Sequence, residues 1–216
     1  MDCTTSPALP AIAAERLAAL VASRLCHDLV SPLGAIGNGV ELIEMGGPPA
    51  PGPSPELQLI ADSVEAARAR IRVFRVAFGH TAPDQRLSVG DLRNLLRDIG
   101  SGGGAGGRLQ VQLDAEGDLP RGEARMILLA VMCLETALPW GGRVLICRGA
   151  QGWRLVAEAA RTRPAPHLWA WLQPGRSHLE EPSAPEVQFA LLAAHALAAG
   201  RPLAGELDES GAEISF

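Results

Sequence analysis

Apolar residues at Leu17, Val21, Leu25, Leu29, Leu33, Ile36, Val40 and Ile43 recur three or four positions apart. That spacing predicts one long amphipathic helix over about 11–45. Pro32 lies inside it and is expected to bend it, because proline removes a backbone donor. Gly46 and Gly47 end the pattern, and a proline-rich loop follows, from Pro48 to Pro55. Ser54 suits a helix N-cap with Pro55 at the first helical position. Leu57, Ile60, Val64, Ala67, Ile71, Phe74 and Phe78 then form a heptad seam on a second helix over about 55–78. Two antiparallel helices cannot bury both stripes between themselves. A second copy of the chain can, which predicts a homodimer held by an intermolecular four-helix bundle.

Beyond Gly79 the pattern changes. Gly79 to Arg86 reads as a linker. Alternating and helical stretches then predict a helix at about 90–99, a strand at 108–113, a helix at 121–137, and strands at 143–149 and 152–158. Helices at 165–172 and 185–199 and strands at 202–207 and 211–216 follow. Gly141–Gly142 and Gly149–Gly152 look like meander turns. Helices mixed with mostly antiparallel strands predict an α/β sandwich with its helices on one face of the sheet. The class is α+β, divided into a helical hairpin at 11–78 and a sheet region at 86–216, with residues 1–10 as a frayed tail.

Composition narrows the chemistry. The chain has 216 residues, 47% of them hydrophobic, and a formal charge of −5. An acidic balance without a basic stripe gives no footprint for nucleic acid. All 19 cationic residues are arginine. A lysine-free chain has neither a P-loop nor a Schiff-base lysine. Cys3, Cys26, Cys133 and Cys147 show no metal or redox spacing. No secretory leader is read at the start, so they are expected to be reduced thiols in the cytoplasm. The most apolar run, Met126 to Trp140, is broken by Glu135 and Pro139, so no membrane span is expected.

The densest chemistry is at Ser23–Asn38. His27 lies two residues from both Leu25 and Leu29, so at about 100° per residue it points away from the apolar stripe. Ser23, Arg24, Ser31, Gly34 and Asn38 are expected to share its polar, low-profile face. Such a histidine is open to a macromolecule. Neutral imidazole is a nucleophile near pH 7. The other histidines (His80, His167, His178 and His195) have no metal-like spacing, and Trp153, Trp169 and Trp171 read as packing or binding residues.

His27, Asp28, Leu29, Val30, Ser31, Pro32 and Leu33 resemble the phosphoacceptor box of histidine kinases, His-Asp/Glu-x-x-Ser/Thr-Pro-Leu. The longer run from Ser23 to Ile36 is more similar to the ChpT-type histidine phosphotransferases of alphaproteobacteria. The order of elements after Arg86 resembles a kinase ATP-binding domain whose nucleotide residues are gone. Its first box would fall at Leu128–Ala137, where Glu135 stands near the place of the magnesium-holding asparagine. Glu158–Thr162 lacks the Asp-x-Gly-x-Gly turn, and Pro185–Ala190 lacks a glycine lid. The run Gly100–Gly107 follows a helix and reads as a loop, not a phosphate cradle.

The resemblance implies a cytoplasmic phosphorelay protein. His27 would take a phosphoryl group from the receiver domain of a CckA-like hybrid kinase and pass it to CtrA- or CpdR-like response regulators of the cell cycle. No cofactor or metal is expected on this chain; Mg²⁺, the acceptor aspartate and a lysine would come with the receiver. Asp28 would orient the imidazole, while Ser31 would bond the phosphoryl group or the partner. Arg24 would neutralise phosphate oxygens. Asn38, and Arg68, Arg72 and Arg75 along helix 2, are candidates for the docking surface, or else a solvated flank. Two other readings stay open: an ATP-dependent histidine kinase without a sensor, and a scaffold that binds receivers without chemistry.

Overall fold

The computed structural model describes residues 12–46, 54–101, 109–149, 152–175 and 179–216. The expected tail at 1–10, the loop at 48–53, the glycine run at 102–107, the turn tip at 150–151 and His178 lie outside the described residues. Helix α1 runs Ala14–Met45 and continues through Pro32. Helix α2 runs Pro55–Ala77, with the Ser54 hydroxyl accepting from the Leu57 amide. The two pack along their length. Gly39 is the close-approach point. A Cβ there would sit 2.6 Å from Ile60 Cγ1, so only glycine lets the helices meet this closely.

The next elements are β1 Arg86–Ser88, α3 Val89–Ser101, β2 Leu109–Asp114, β3 Asp118–Pro120, α4 Arg121–Ala137, β4 Gly142–Gly149 and β5 Gly152–Glu158. They are followed by α5 Pro166–Trp169, α6 Val187–Ala198, β6 Ala204–Leu207 and β7 Gly211–Ser215, with 3₁₀ turns at Ala170–Leu172 and Ala184–Glu186. The main sheet has the order β2-β4-β5-β7-β6. β2 and β4 are parallel, as the α4 crossover between them requires, and the other pairs are antiparallel. Register aligns Leu113, Ile146, Leu155, Ile214 and Gly205 in one buried row. Gln110, Gln112 and Arg154 point to the opposite, exposed face. Two elements were not expected. β1 and β3 form a small antiparallel pair, each only three residues long and too short to show a period. Gly141–Gly142 turns from α4 into β4 and is not a meander turn.

From Met126 to Leu134 α4 is apolar on every side and accordingly buried all round. It packs against α2, α3 and α6 and against the strands. Its core also takes in Leu20 of α1 and Val73, Phe74, Val76 and Ala77 of α2. The inner part of the hairpin is therefore fused to the sheet domain. Arg125 of α4 adds to this joint. It donates to the Gly79 carbonyl and to Thr81 Oγ1 at 2.5 Å.

The stripes behave differently from a simple hairpin seam. Leu17, Val21, Leu25, Leu29 and Ile36 are half-buried, whereas Leu33, Val40 and Ile43 are exposed, as are Leu57 and Ile71 of α2. The fully buried positions of α1 are Leu20, Arg24 and Gly39. A four-residue step overshoots a turn by about 40°, so a stripe built mostly of such steps winds around the helix. The sheet domain covers one flank and leaves the rest of the stripe open.

Candidate functional site

The candidate site is the stretch of α1 around His27 together with the segment that leads into α6. The His27 side chain is 67% exposed, and that of Asp28 only 10%. His27 Nδ1 lies 2.9 Å from Asp28 Oδ1. Asp28 Oδ2 accepts from Arg24 Nε at 2.9 Å, one turn back along the helix. Arg24 in turn donates through Nη1 to the Pro185 backbone carbonyl of the sheet domain. Four groups therefore stand in a row: the Pro185 carbonyl, the Arg24 guanidinium, the Asp28 carboxylate and the His27 imidazole. An ionised carboxylate only accepts hydrogen bonds. The Nδ1–Asp28 contact therefore holds the imidazole proton on Nδ1 and leaves the Nε2 lone pair free, on a ring that faces solvent.

A second ion pair lies behind this row. Arg70 of α2 reaches Glu135 of α4 at 3.6 Å, with both side chains largely covered. Burial raises the Glu135 carboxyl above its ordinary range, nearby Asp28 raises it further, and Arg70 and Arg24 oppose the rise. Glu135, which the sequence resemblance sets near the place of a magnesium-holding asparagine, pairs with an arginine here.

The segment before α6 is docked on α1. Arg16 pairs with Glu181 at 2.6 Å, and the Pro185 carbonyl caps Arg24. The turn that carries Pro185 is braced by its own ends. The Glu186 amide donates to the Ser183 carbonyl at 2.9 Å, and the Ser183 hydroxyl and amide both reach the Glu186 carboxylate.

The other expected site residues divide. Ser31 and Asn38 are exposed on α1. Arg24 is not: its side chain is 10% exposed and turned into the joint between α1 and the sheet domain. The helical wheel places Arg24 near His27, but a packed partner on that flank converts it from surface to interior. Arg68 and Arg75 are exposed on α2. Arg72 is held by Asp98 of α3 at 2.9 Å and by Glu65 at 2.9 Å, which raises its pKa further. The three arginines are thus not one uniform free patch. Sequence reasoning missed Pro185 and the Arg70–Glu135 pair. A backbone carbonyl leaves no trace in sequence. Glu135 did leave one, as the acid that breaks the most apolar run in the chain.

Comparison with known proteins agrees with the sequence resemblance. Residues 89–211 match the family model described as the histidine phosphotransferase C-terminal domain. The protein phosphotransferase ChpT of Brucella abortus (strain 2308) is 31% identical over 139 residues; the alignment spans 62% of this chain and 62% of that protein. A bacterial phosphotransferase solved at 1.7 Å superposes with a TM-score of 0.74 and 27% identity, over 98% of this chain and 99% of its own. The histidine kinase AdeS of Acinetobacter baumannii superposes at a TM-score of 0.43 with 12% identity, covering 88% of this chain and 96% of its own, and is too distant to carry an argument.

Proposed function

Because the chain belongs to the histidine phosphotransferase family, we propose that it relays phosphoryl groups between two-component proteins through His27. The observation that carries this reading is the Asp28–Nδ1 contact on an exposed imidazole, which leaves Nε2 free of that contact. Nε2 attacks the phosphorus of an aspartyl phosphate on the receiver domain of a hybrid histidine kinase. The N–P bond forms as the P–O bond to the donor carboxylate breaks. The phosphorylated ring then carries positive charge, which Asp28 balances. In the second half-reaction the aspartate of a response regulator attacks, the N–P bond breaks, and neutral imidazole returns. Such transfers depend mainly on in-line positioning and charge neutralisation. Mg²⁺ and the neutralising lysine belong to the receiver in this reading, and the chain supplies no cofactor. The donor is of the CckA type and the acceptors of the CtrA or CpdR type, acting in the cytoplasm.

The architecture supports a division of labour in this reading. The hairpin at 11–78 provides the phosphoacceptor and the dimer. Support for the dimer comes from Leu33, Val40, Ile43, Leu57 and Ile71, all 40–60% exposed along the hairpin in a single chain. A second copy would cover them in a four-helix bundle. The region at 86–216 serves receiver binding and the support of α1 instead of nucleotide binding. The docking of the pre-α6 segment on Arg16 and Arg24 favours this, because a segment so held is not free to close over a nucleotide.

The test is a paired labelling experiment on the purified protein. Acid-labile, base-stable label from a phosphorylated receiver, lost in His27→Ala, is the expected result. Label from ATP alone would favour a kinase. No label from a cognate receiver would leave a binding scaffold.

A further inference from the structure

We infer that Arg24 is a positioning residue through which the sheet domain sets the reactive tautomer of His27; this rests on the phosphorelay reading above. Exposure separates Arg24 from a phosphate clamp. The His27 side chain is 67% exposed, while that of Arg24, one turn earlier, is 10% exposed and its guanidinium is engaged on two sides. Its Nε holds Asp28 Oδ2 and its Nη1 holds the Pro185 carbonyl. A planar guanidinium with both ends engaged is fixed in one rotamer, which a lysine cannot reproduce. With Oδ2 taken, the Asp28 carboxylate is held with Oδ1 toward Nδ1. Without Arg24, Asp28 is free to turn to water, because it follows His27 directly in sequence and is not aimed at it by helix geometry.

The same row gives the sheet domain a part in the chemistry. The Pro185 carbonyl is presented by a turn whose ends are joined through Ser183 and Glu186, and a second tie, Arg16–Glu181, anchors the segment on α1. The charges facing Arg24 from the other elements are Glu135 of α4, itself paired with Arg70 of α2. Arg24 thus stands among Asp28, Glu135 and a carbonyl, an acceptor-rich setting that holds it in place.

The experiment uses the full chain and phosphoramidate as donor, so that no receiver has to be identified. Nε2 displaces ammonia from phosphorus, with the P–N bond of the donor breaking as the new N–P bond forms. Arg24→Gln, Arg24→Lys and Ser183→Ala are compared with wild type. The two readouts are the rate of phosphohistidine formation and the ¹⁵N shifts of the His27 ring, which report which nitrogen carries the proton. Expected in Arg24→Gln is a shift from Nδ1–H toward the mixture seen in an unstructured peptide, with a rate lower by about 10- to 100-fold. That is the size of loss when hydrogen bonds behind a metal-binding imidazole are removed. Arg24→Lys falls between, and Ser183→Ala moves both readouts in the same direction by a few-fold without touching α1. Wild-type tautomer and rate in Arg24→Gln would overturn the inference. So would a slowed rate with an unchanged tautomer, which would make Arg24 a phosphate ligand. Should Arg24→Gln fail to fold, Arg24→Lys and Ser183→Ala decide by the same criteria. Label that persists in His27→Ala would instead sink the phosphorelay reading itself.

Discussion

Asp28→Asn is the substitution that most directly tests the row of groups at His27. The amide keeps the shape of the carboxylate but has one acceptor and one donor end. Arg24 can only donate, and it lies 2.9 Å from Oδ2. The amide oxygen must therefore face Arg24, and the amide nitrogen faces His27 Nδ1. Nδ1 then accepts, so the ring proton moves to Nε2, the nitrogen that has to attack. The reverse orientation sets two donors against each other at a side chain only 10% exposed. A hydrogen bond to a charged group is worth about 1.5–3 kcal/mol. Holding the wrong tautomer by that margin slows transfer about 10- to 150-fold, at 1.36 kcal/mol per factor of ten. Loss of the negative charge beside the phosphorylated ring adds to this, so a total loss of about 10²–10³-fold is expected. Stability should fall by about 2–3 kcal/mol, less than the usual loss on breaking a buried pair, because Arg24 keeps the Pro185 carbonyl. The assay is the transfer rate from a phosphorylated receiver, paired with urea unfolding of the same variant. A folded Asp28→Asn protein that transfers within threefold of wild type would refute the argument.

Three further outcomes follow from other parts of the molecule. Leu33→Glu combined with Ile43→Glu should abolish the proposed hairpin-mediated dimer in sedimentation, since each charge would be placed twice in a symmetric interface; a dimer that persists in the variant would move the interface away from the hairpin. Glu123→Ala should lower stability by about 2–4 kcal/mol in urea unfolding, because it strands the Trp153 indole N–H and the Arg201 guanidinium, now 2.9 and 2.8 Å from the carboxylate. His195 gives a pH signature: burial and then Arg125 lower its pKa below the ordinary value. The unfolded imidazole therefore takes up a proton first, and stability falls as pH drops through about 6.5, a loss that His195→Asn should reduce in thermal melts across that range.

Much of this protein was legible one residue at a time. The helical stripes located α1 and α2, and alternation with glycine turns located β4, β5 and β7, because those elements follow a local period. The box at His27 was legible because it depends on residue order within one helix. Long-range features were not. The pairing of three-residue strands β1 and β3 rests on contact with each other and leaves no period to read. Arg72 follows Arg68 and Arg75 along one side of α2, which reads as either a docking patch or a solvated flank, and its pairing with Asp98 of α3 is not visible in the sequence.

The sequence by itself determined that a histidine stands on an exposed helix face beside an acid, and that apolar surface exceeds what one hairpin can bury. Local spacing is enough for both. Only the tertiary structure decided what Arg24 does. One flank of α1 meets the sheet domain, and a charged side chain that is taken out of water must find partners within reach. Here those partners are Asp28 on its own helix and a proline carbonyl 161 residues away, brought together by the packing of α4 and α6 against the hairpin.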